Sequence, residues 1–370
     1  MLIVAKIGTA SITDDRGAIN PRAIERLVDE VAALRGRGHT VVVVSSGAVA
    51  SGVAALGLDA RPTDMRTLQA VSAVGQSRLV EAYDRELARH DFVGAQLLVD
   101  PHDFVDRDQY LHVRATLERL LELGVVPIVN ENDAIANDEL RYGDNDRLAA
   151  LVANAIRADV LVLLTDMDGV FTADPRRDSS ATLVPFVKTD DPLLSIRADT
   201  GGSGRGSGGM ASKLVAARMA SWSGIRSVIA RASRSGVLAG SASDELVGTT
   251  FAAHDRVLSA RKLWIAFAAD VAGRIVVDDG ARRALTERPN SLLPAGVLDA
   301  SGDFEAGHVV EMAGPDGEVF ARGRTALGAD VVQQVKGQRT GDLPAAITEV
   351  VHRDDLVVLV ESVPEAPATT

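Results

Sequence analysis

Short β-branched and aliphatic runs alternate with stretches of helical periodicity from Met1 to about Ala232, and this alternation limits the sheets the chain can build. The strand-like runs are Met1–Ile7, Thr40–Val44, Phe92–Val99, Val125–Val129, Val160–Leu164 and Ile225–Ala230. Asn20-Pro21 supplies a cap and a first-turn proline for a helix reaching about Arg35. Helical patterns also cover Met65–His90, with Gly75 as its weak point, and Asp108–Leu121, Asp146–Ile156 and Met210–Ser221. Strands joined through crossover helices pair in parallel, which predicts a mostly parallel sheet covered by helices. The aromatic content of only 4%, beside abundant alanine and valine, suits such a buried sheet.

The rhythm changes near residue 255. Beyond it the segments are short, β-branched and broken by glycine, at Trp264–Phe267, Arg274–Val277, Val297–Ala300, His308–Met312, Val319–Arg322 and Asp355–Val360, with one helical stretch at Gly280–Glu287. A chain of 370 residues exceeds one ordinary core, so two domains are expected, residues 1–255 and a smaller, mainly β, barrel-like module at residues 260–360. The formal charge of −12 weighs against a general nucleic-acid or anionic-membrane binder. Ala260–Thr370 is itself acidic, with 11 Lys/Arg against 17 Asp/Glu, which makes RNA binding led by this module the weaker alternative. With no cysteine, disulfides, thiolate catalysis and cysteine-ligated zinc are excluded. Lys6 interrupts the apolar start, and no run reaches the ~18 residues of a membrane helix. A cytoplasmic protein without a membrane partner is expected.

Several polar, often glycine-bearing tips adjoin buried elements. In Gly206-Ser207-Gly208-Gly209-Met210-Ala211-Ser212-Lys213, glycines let backbone N–H groups approach an anion, and the helix start adds its dipole. Lys213 falls on the first turn, though the spacing is not that of a Walker P-loop. Lys6-Ile7-Gly8-Thr9 places a lysine near the end of a buried strand, where its charge needs a partner or a ligand. Ser45-Ser46-Gly47-Ala48 and Asn130-Glu131-Asn132-Asp133 follow strands and offer donors and acceptors to a substrate bearing an ammonium and a carboxylate. Thr165-Asp166-Met167-Asp168-Gly169 leaves another strand as a polar turn that could hold a nucleotide, and Gly143-Asp144-Asn145-Asp146 crowds an amide and two carboxylates at a helix entrance. Open α/β sheets bind ligands at the carboxyl ends of their strands, so the coincidence of these loops points to phosphoryl transfer onto a small acid. None of them contains histidine, and an ionised carboxylate acceptor needs no general base.

At these residues the chain closely resembles the glutamate 5-kinase family of the amino acid kinase superfamily. The matching text includes Val42–Gly52, Ala73-Val74-Gly75-Gln76, Leu121–Asp133, Gly143–Val152, Thr172–Arg176 and Gly208–Lys213. The C-terminal part resembles a PUA module, through Ala260–Ile265, Ser291–Val297 and Val351–Leu356. The resemblance implies a three-layer α/β/α sandwich plus a PUA-like barrel, and ATP-dependent phosphorylation of L-glutamate to glutamyl 5-phosphate in proline biosynthesis. It implies ATP contacts at Lys6, Thr165, Asp166 and Ser207, Gly208, Gly209, Met210, Ala211, Ser212 and Lys213. It puts glutamate on Ser46, Asp133 and Asn145, and makes Asp146 the organiser of two catalytic lysines, Lys6 and Lys213. It further implies magnesium without a dedicated protein metal site, feedback inhibition by proline, and a homo-oligomer. Ala10 departs from the family pattern, which usually has a hydroxyl residue there, and so does His112-Val113-Arg114-Ala115-Thr116. Another acid kinase of the superfamily, acting on aspartate or acetylglutamate, is the nearer alternative.

Overall fold

The computed structural model describes residues 1–14, 16–135, 145–189, 191, 209–243, 245–255, 257–344 and 347–359. They form two compact units, Met1–Ala260 and Arg261–Thr370.

The first unit opens with β1 (Leu2–Ile7), a short α1 (Thr9–Ile12), α2 (Pro21–Gly36), β2 (Thr40–Ser45), α3 (Ala48–Leu56) and α4 (Met65–Ala88). It continues through β3 (Gly94–Val99), α5 (Arg107–Glu122), β4 (Val126–Glu131), α6 (Asn145–Ala155) and β5 (Val160–Thr165). It closes with β6 (Phe186–Val187), α7 (Met210–Trp222), β7 (Arg226–Arg231), α8 (Val237–Ala242) and β8 (Thr249–Phe251). Among the described residues these strands make one sheet in the order β3-β4-β2-β1-β5-β7-β8-β6. All the pairings are parallel except that of β7 with β8. The expected mostly parallel, helix-covered sheet is what the chain forms.

Local chemistry explains the helix boundaries. Asn20 Oδ1 accepts from the Arg22 amide ahead of Pro21, Asp64 caps α4 through the Thr67 amide, and Asp106 caps α5 through Asp108 and Gln109. Helix α2 buries Ile24, Leu27, Val28, Val31 and Leu34, a stripe at helical spacing, against Ile3, Ala5, Ile7, Val41 and Val43. Each fully buried aliphatic side chain contributes about 1.5–3 kcal/mol, so this stripe anchors one face of the sheet. Strand alternation then turns Val4 and Lys6 to the other face, where α6 packs on β1 and α7 packs on α6.

The expected helix Met65–His90 holds as α4, but Gly75 is its closest contact and not a weak point. A Cβ built there would lie 1.7 Å from the Ala48 carbonyl oxygen, and one at Gly52 would lie 1.9 Å from that of Val71. Two glycines therefore let α3 and α4 touch backbone to backbone.

In the second unit β9 (Val271–Val277), β10 (Val297–Gly302), β11 (Val309–Ala313), β12 (Val319–Thr325) and β13 (Val351–Val358) form a sheet ordered β10-β9-β11-β12-β13. Only β9 and β11 pair in parallel. Ile275, Val277, Leu292, Met312, Phe320 and Val351 are among its buried core residues. The strand expected at Trp264–Phe267 is instead a π-helical turn, Trp264–Ala268, which continues the short helix Ala260–Leu263. Leu263 keeps helical backbone angles, φ −62° and ψ −43°, so the chain is already wound when the apolar run begins. A short apolar run has too few residues for its periodicity to separate the two outcomes.

Candidate active site

Parallel register brings the carboxyl ends of four strands side by side. Ile7 lies level with Ser45 on β2 and with Leu164 on β5, and Val44 lies level with Val129 on β4. Lys6, Ser45, Asn130, Glu131 and Thr165 therefore gather along one edge of the sheet, which changes winding direction around β1.

Asp146, in the first turn of α6, is completely buried. Its Oδ1 lies 2.6 Å from Lys6 Nζ and its Oδ2 lies 3.1 Å from Lys213 Nζ. The Ser212 hydroxyl donates to Oδ2 at 2.7 Å. Both lysines are about as deep, at 3% and 5% exposure, so this is a desolvated cation–carboxylate–cation bracket and not a solvated surface pair. Burial alone would raise the Asp146 carboxyl, but the two ammoniums and the Ser212 hydroxyl hold it well below the usual carboxylate range. The bracket brings two positive charges together around one negative charge, leaving a net positive locus in a dry setting.

The surroundings suit an anion. Gly209 is the N-cap of α7, and Met210, Ala211, Ser212 and Lys213 occupy the opening of that helix. A Cβ built at Gly8 would sit 3.7 Å from Lys6 Nζ, at ordinary contact distance, so Gly8 lies directly beside the ammonium. One strand away, the Thr165 hydroxyl donates to Asp166 Oδ1 at 3.0 Å, with Thr165 buried and Asp166 exposed. Ser207 and Gly208 lie outside the described residues, as does Asp144.

On the other flank, Asn145 Nδ2 lies 2.9 Å from each of Ser46 Oγ, the Ser45 carbonyl and Asn130 Oδ1. Asn130 in turn donates to Gln76 Oε1 at 2.7 Å. Asp133, in the turn after β4, accepts a long 3.4 Å contact from the Ser72 hydroxyl. Burial pushes its carboxyl up to about 6, with Ser72 and Arg61 opposing. Tyr83 and Ser45 share a buried 3.0 Å hydrogen bond between hydroxyls. Thus Lys6, Asp146 and Lys213 meet directly, Ser46 meets Asn145, and Asp133 is tied to α4. Sequence reading passed over Ser72, Gln76 and Tyr83 as site residues. Their signal is a polar spacing of four and seven residues along an otherwise apolar helix face that includes Leu79.

Among the described residues no group of three or more His, Cys, Asp or Glu side chains gathers to hold a metal ion, and no helix is long and apolar enough to cross a membrane.

A mostly parallel sheet with one buried lysine at a strand end and a second on a glycine-capped helix, both on one carboxylate, suits a phosphotransferase of the amino acid kinase class. Residues 1–231 match the model of the amino acid kinase family, to which the chain belongs, and residues 273–347 match the PUA domain. Its relatives include the glutamate 5-kinase of Burkholderia lata, 42% identical over 96% of this chain and 97% of that protein. The glutamate 5-kinase of Pelobacter propionicus is 41% identical over the same shares. Within the amino acid kinases, then, the chain is one of the glutamate 5-kinase group. A solved UMP kinase from Bacillus anthracis aligns with 68% of this chain and 95% of its own, at 16% identity and a TM-score of 0.47.

Proposed function

We propose that this chain transfers the γ-phosphoryl group of ATP to the side-chain carboxylate of L-glutamate, giving ADP and L-glutamyl 5-phosphate, the first step of proline biosynthesis. The observation that carries this reading is the buried bracket in which one carboxylate, Asp146, aligns the ammoniums of Lys6 and Lys213. A glutamate γ-carboxylate is ionised near neutral pH, its reference pKa being about 4.3, so its oxygen attacks the γ-phosphorus without a base. The bond to the β–γ bridging oxygen breaks and ADP leaves with the electron pair. What such a reaction needs is alignment of two anions and positive charge at the transferring group. Lys6 and Lys213 supply that charge. Asp146 holds both ammoniums in place, and with both oxygens engaged it does not serve as a base.

Thr165, Asp166 and the segment Ser207, Gly208, Gly209, Met210, Ala211 and Ser212 hold the nucleotide with the lysines. Ser46 and Asn145 hold the amino-acid end of glutamate, and Asp133 pairs with its ammonium. Because the lysines and Ser212 occupy both Asp146 oxygens, the residues fit a magnesium ion carried in on the nucleotide's phosphate oxygens better than one held in a protein cage. That ion would add positive charge beside the phosphates. Family membership also favours a cytoplasmic homo-oligomer inhibited by proline, readable by sedimentation and by a proline titration.

The decisive test traps the acyl phosphate as its hydroxamate, with ATP, magnesium, hydroxylamine and a panel of glutamate, aspartate and N-acetylglutamate. Hydroxamate with glutamate is expected. Product only with another acid would overturn the substrate assignment.

A further inference from the structure

The backbone and the side chain of Ser212 have different tasks. Ser212 stands in the first turn of α7, where the leading N–H groups of a helix have no acceptor within it and suit an anion. Its hydroxyl instead donates to Asp146 Oδ2 at 2.7 Å. The Gly209 carbonyl is a second acceptor within reach, at 2.9 Å. A hydroxyl carries one proton, so it donates to one of the two at a time. The carboxylate is the stronger acceptor, because hydrogen bonds to a charged group are shorter and roughly twice as strong as neutral ones. Ser212 and Asp146 are both buried, which shields the bond from solvent.

What this bond adds follows from how the donors to Asp146 are tethered. Asp146 stands on α6, and its carboxylate plane can still turn about the last side-chain bond, a torsion with broad preferences. Lys6 and Lys213 end flexible four-carbon stems, and they are the groups whose places the carboxylate decides, so neither gives it a fixed reference. The Ser212 hydroxyl is one carbon away from the backbone of α7, and α7 packs on α6. It is therefore the short link between the two helix starts. Being neutral, it holds Oδ2 without adding to the positive charge of the pocket.

Resting on the reading that Lys6 and Lys213 stabilise the transferring phosphoryl group, we infer that Ser212 is a positioning residue, whose hydroxyl sets the plane of the Asp146 carboxylate and through it the placing of both ammoniums. The side chain acts on turnover and not on nucleotide affinity. Without the hydroxyl both cations still face the phosphates in the ground state. What is lost is their alignment, which counts in the transition state.

The experiment uses the full chain with glutamate, ATP and magnesium. It reads kcat by hydroxamate trapping and the Kd for ATP by direct binding in the absence of glutamate. Ser212→Ala is expected to lower kcat about tenfold, the worth of one hydrogen bond to a charged group, with the Kd for ATP unchanged within about twofold. Ser212→Thr keeps a hydroxyl on the same carbon and is expected to recover most of the loss. Adding Ser212→Ala to Asp146→Asn is expected to lower kcat no further, since the hydroxyl acts through that carboxylate. A fall in kcat of less than about fivefold in Ser212→Ala, or a Kd for ATP that rises as far as kcat falls, overturns the inference. So does a Ser212→Thr variant as slow as Ser212→Ala, or a loss of the same size with and without the Asp146 charge. If Ser212→Ala fails to fold, Ser212→Cys is read in the same way. A wild type that forms no hydroxamate with glutamate refutes the proposed reaction itself, whereas an active wild type with an unmoved kcat in Ser212→Ala refutes only the role of Ser212.

Discussion

Asp146→Asn is the most informative perturbation, because it keeps shape and removes the charge that both lysines face. At separations of 2.6 and 3.1 Å the two attractions amount to about 6 and 5 kcal/mol at an effective permittivity of about 20, before desolvation and repulsion between the lysines are subtracted. Breaking a buried ion pair by removing one partner costs about 3–5 kcal/mol, and that net value is the one expected here. The variant holds two buried ammoniums with no counter-charge to align them, so their placement at the transferring group is lost. Losing one preorganised cation lowers kcat by about 10²–10³-fold. Hydroxamate formation in Asp146→Asn is therefore expected to drop by at least that factor. If Asp146 works only through the lysines, the double variant with Lys213→Met is scarcely worse than the poorer single variant. Asp146→Asn turnover within tenfold of wild type, or fully additive losses in the double variant, would falsify the bracket. Stability gives a second check. The folded carboxyl is depressed, so its contribution is fully present above the unfolded value of about 3.9 and is lost as pH falls below it. Acid denaturation below about pH 4 should accordingly be shallower in Asp146→Asn.

Two further outcomes follow from other parts of the first unit. Burial raises the Asp133 carboxyl to about 6, so its charge disappears as pH falls through that value, and kcat/KM for glutamate should decline about tenfold per pH unit below it. Asp133→Asn should flatten that limb and lower kcat/KM at neutral pH, and an unchanged limb would remove Asp133 from the ammonium's surroundings. The stability sign is the reverse of that for Asp146: folding loses stability as pH rises from about 3.9 to about 6, because the fold disfavours the charged form. Gly75→Ala must drive α3 and α4 apart, since the added carbon meets the Ala48 carbonyl oxygen, and a loss of about 3 kcal/mol or more in urea titration is expected. A loss below about 1 kcal/mol would mean that the two helices can slide past each other freely.

What could be read from the chain alone follows from where polar residues break an apolar pattern. A central parallel strand is buried on both faces, so Lys6 has no solvent side to turn to, and its burial follows from the strand assignment. Asp146 and Lys213 stand at helix starts that follow polar tips, which the crevice rule brings to the same edge of the sheet. No local feature says that these three side chains touch, because their meeting depends on α6 and α7 packing together on the face opposite α2. The same logic explains what sequence reading misses. A polar residue on a helix is by default a solvent-facing one, so Ser72, Gln76 and Tyr83 blend into the outer surface of a long helix until the fold turns them inward. Gly75 misleads in the opposite direction, because helix propensity marks it as a weakness whereas the contact between α3 and α4, which Gly52 shares, requires it. Propensity is a property of the isolated segment. Around Asn145 tertiary contact outweighs it, since buried amides there take positions that aliphatic side chains hold elsewhere in the core, and Gln76, Asn130 and Asn145 bond to one another.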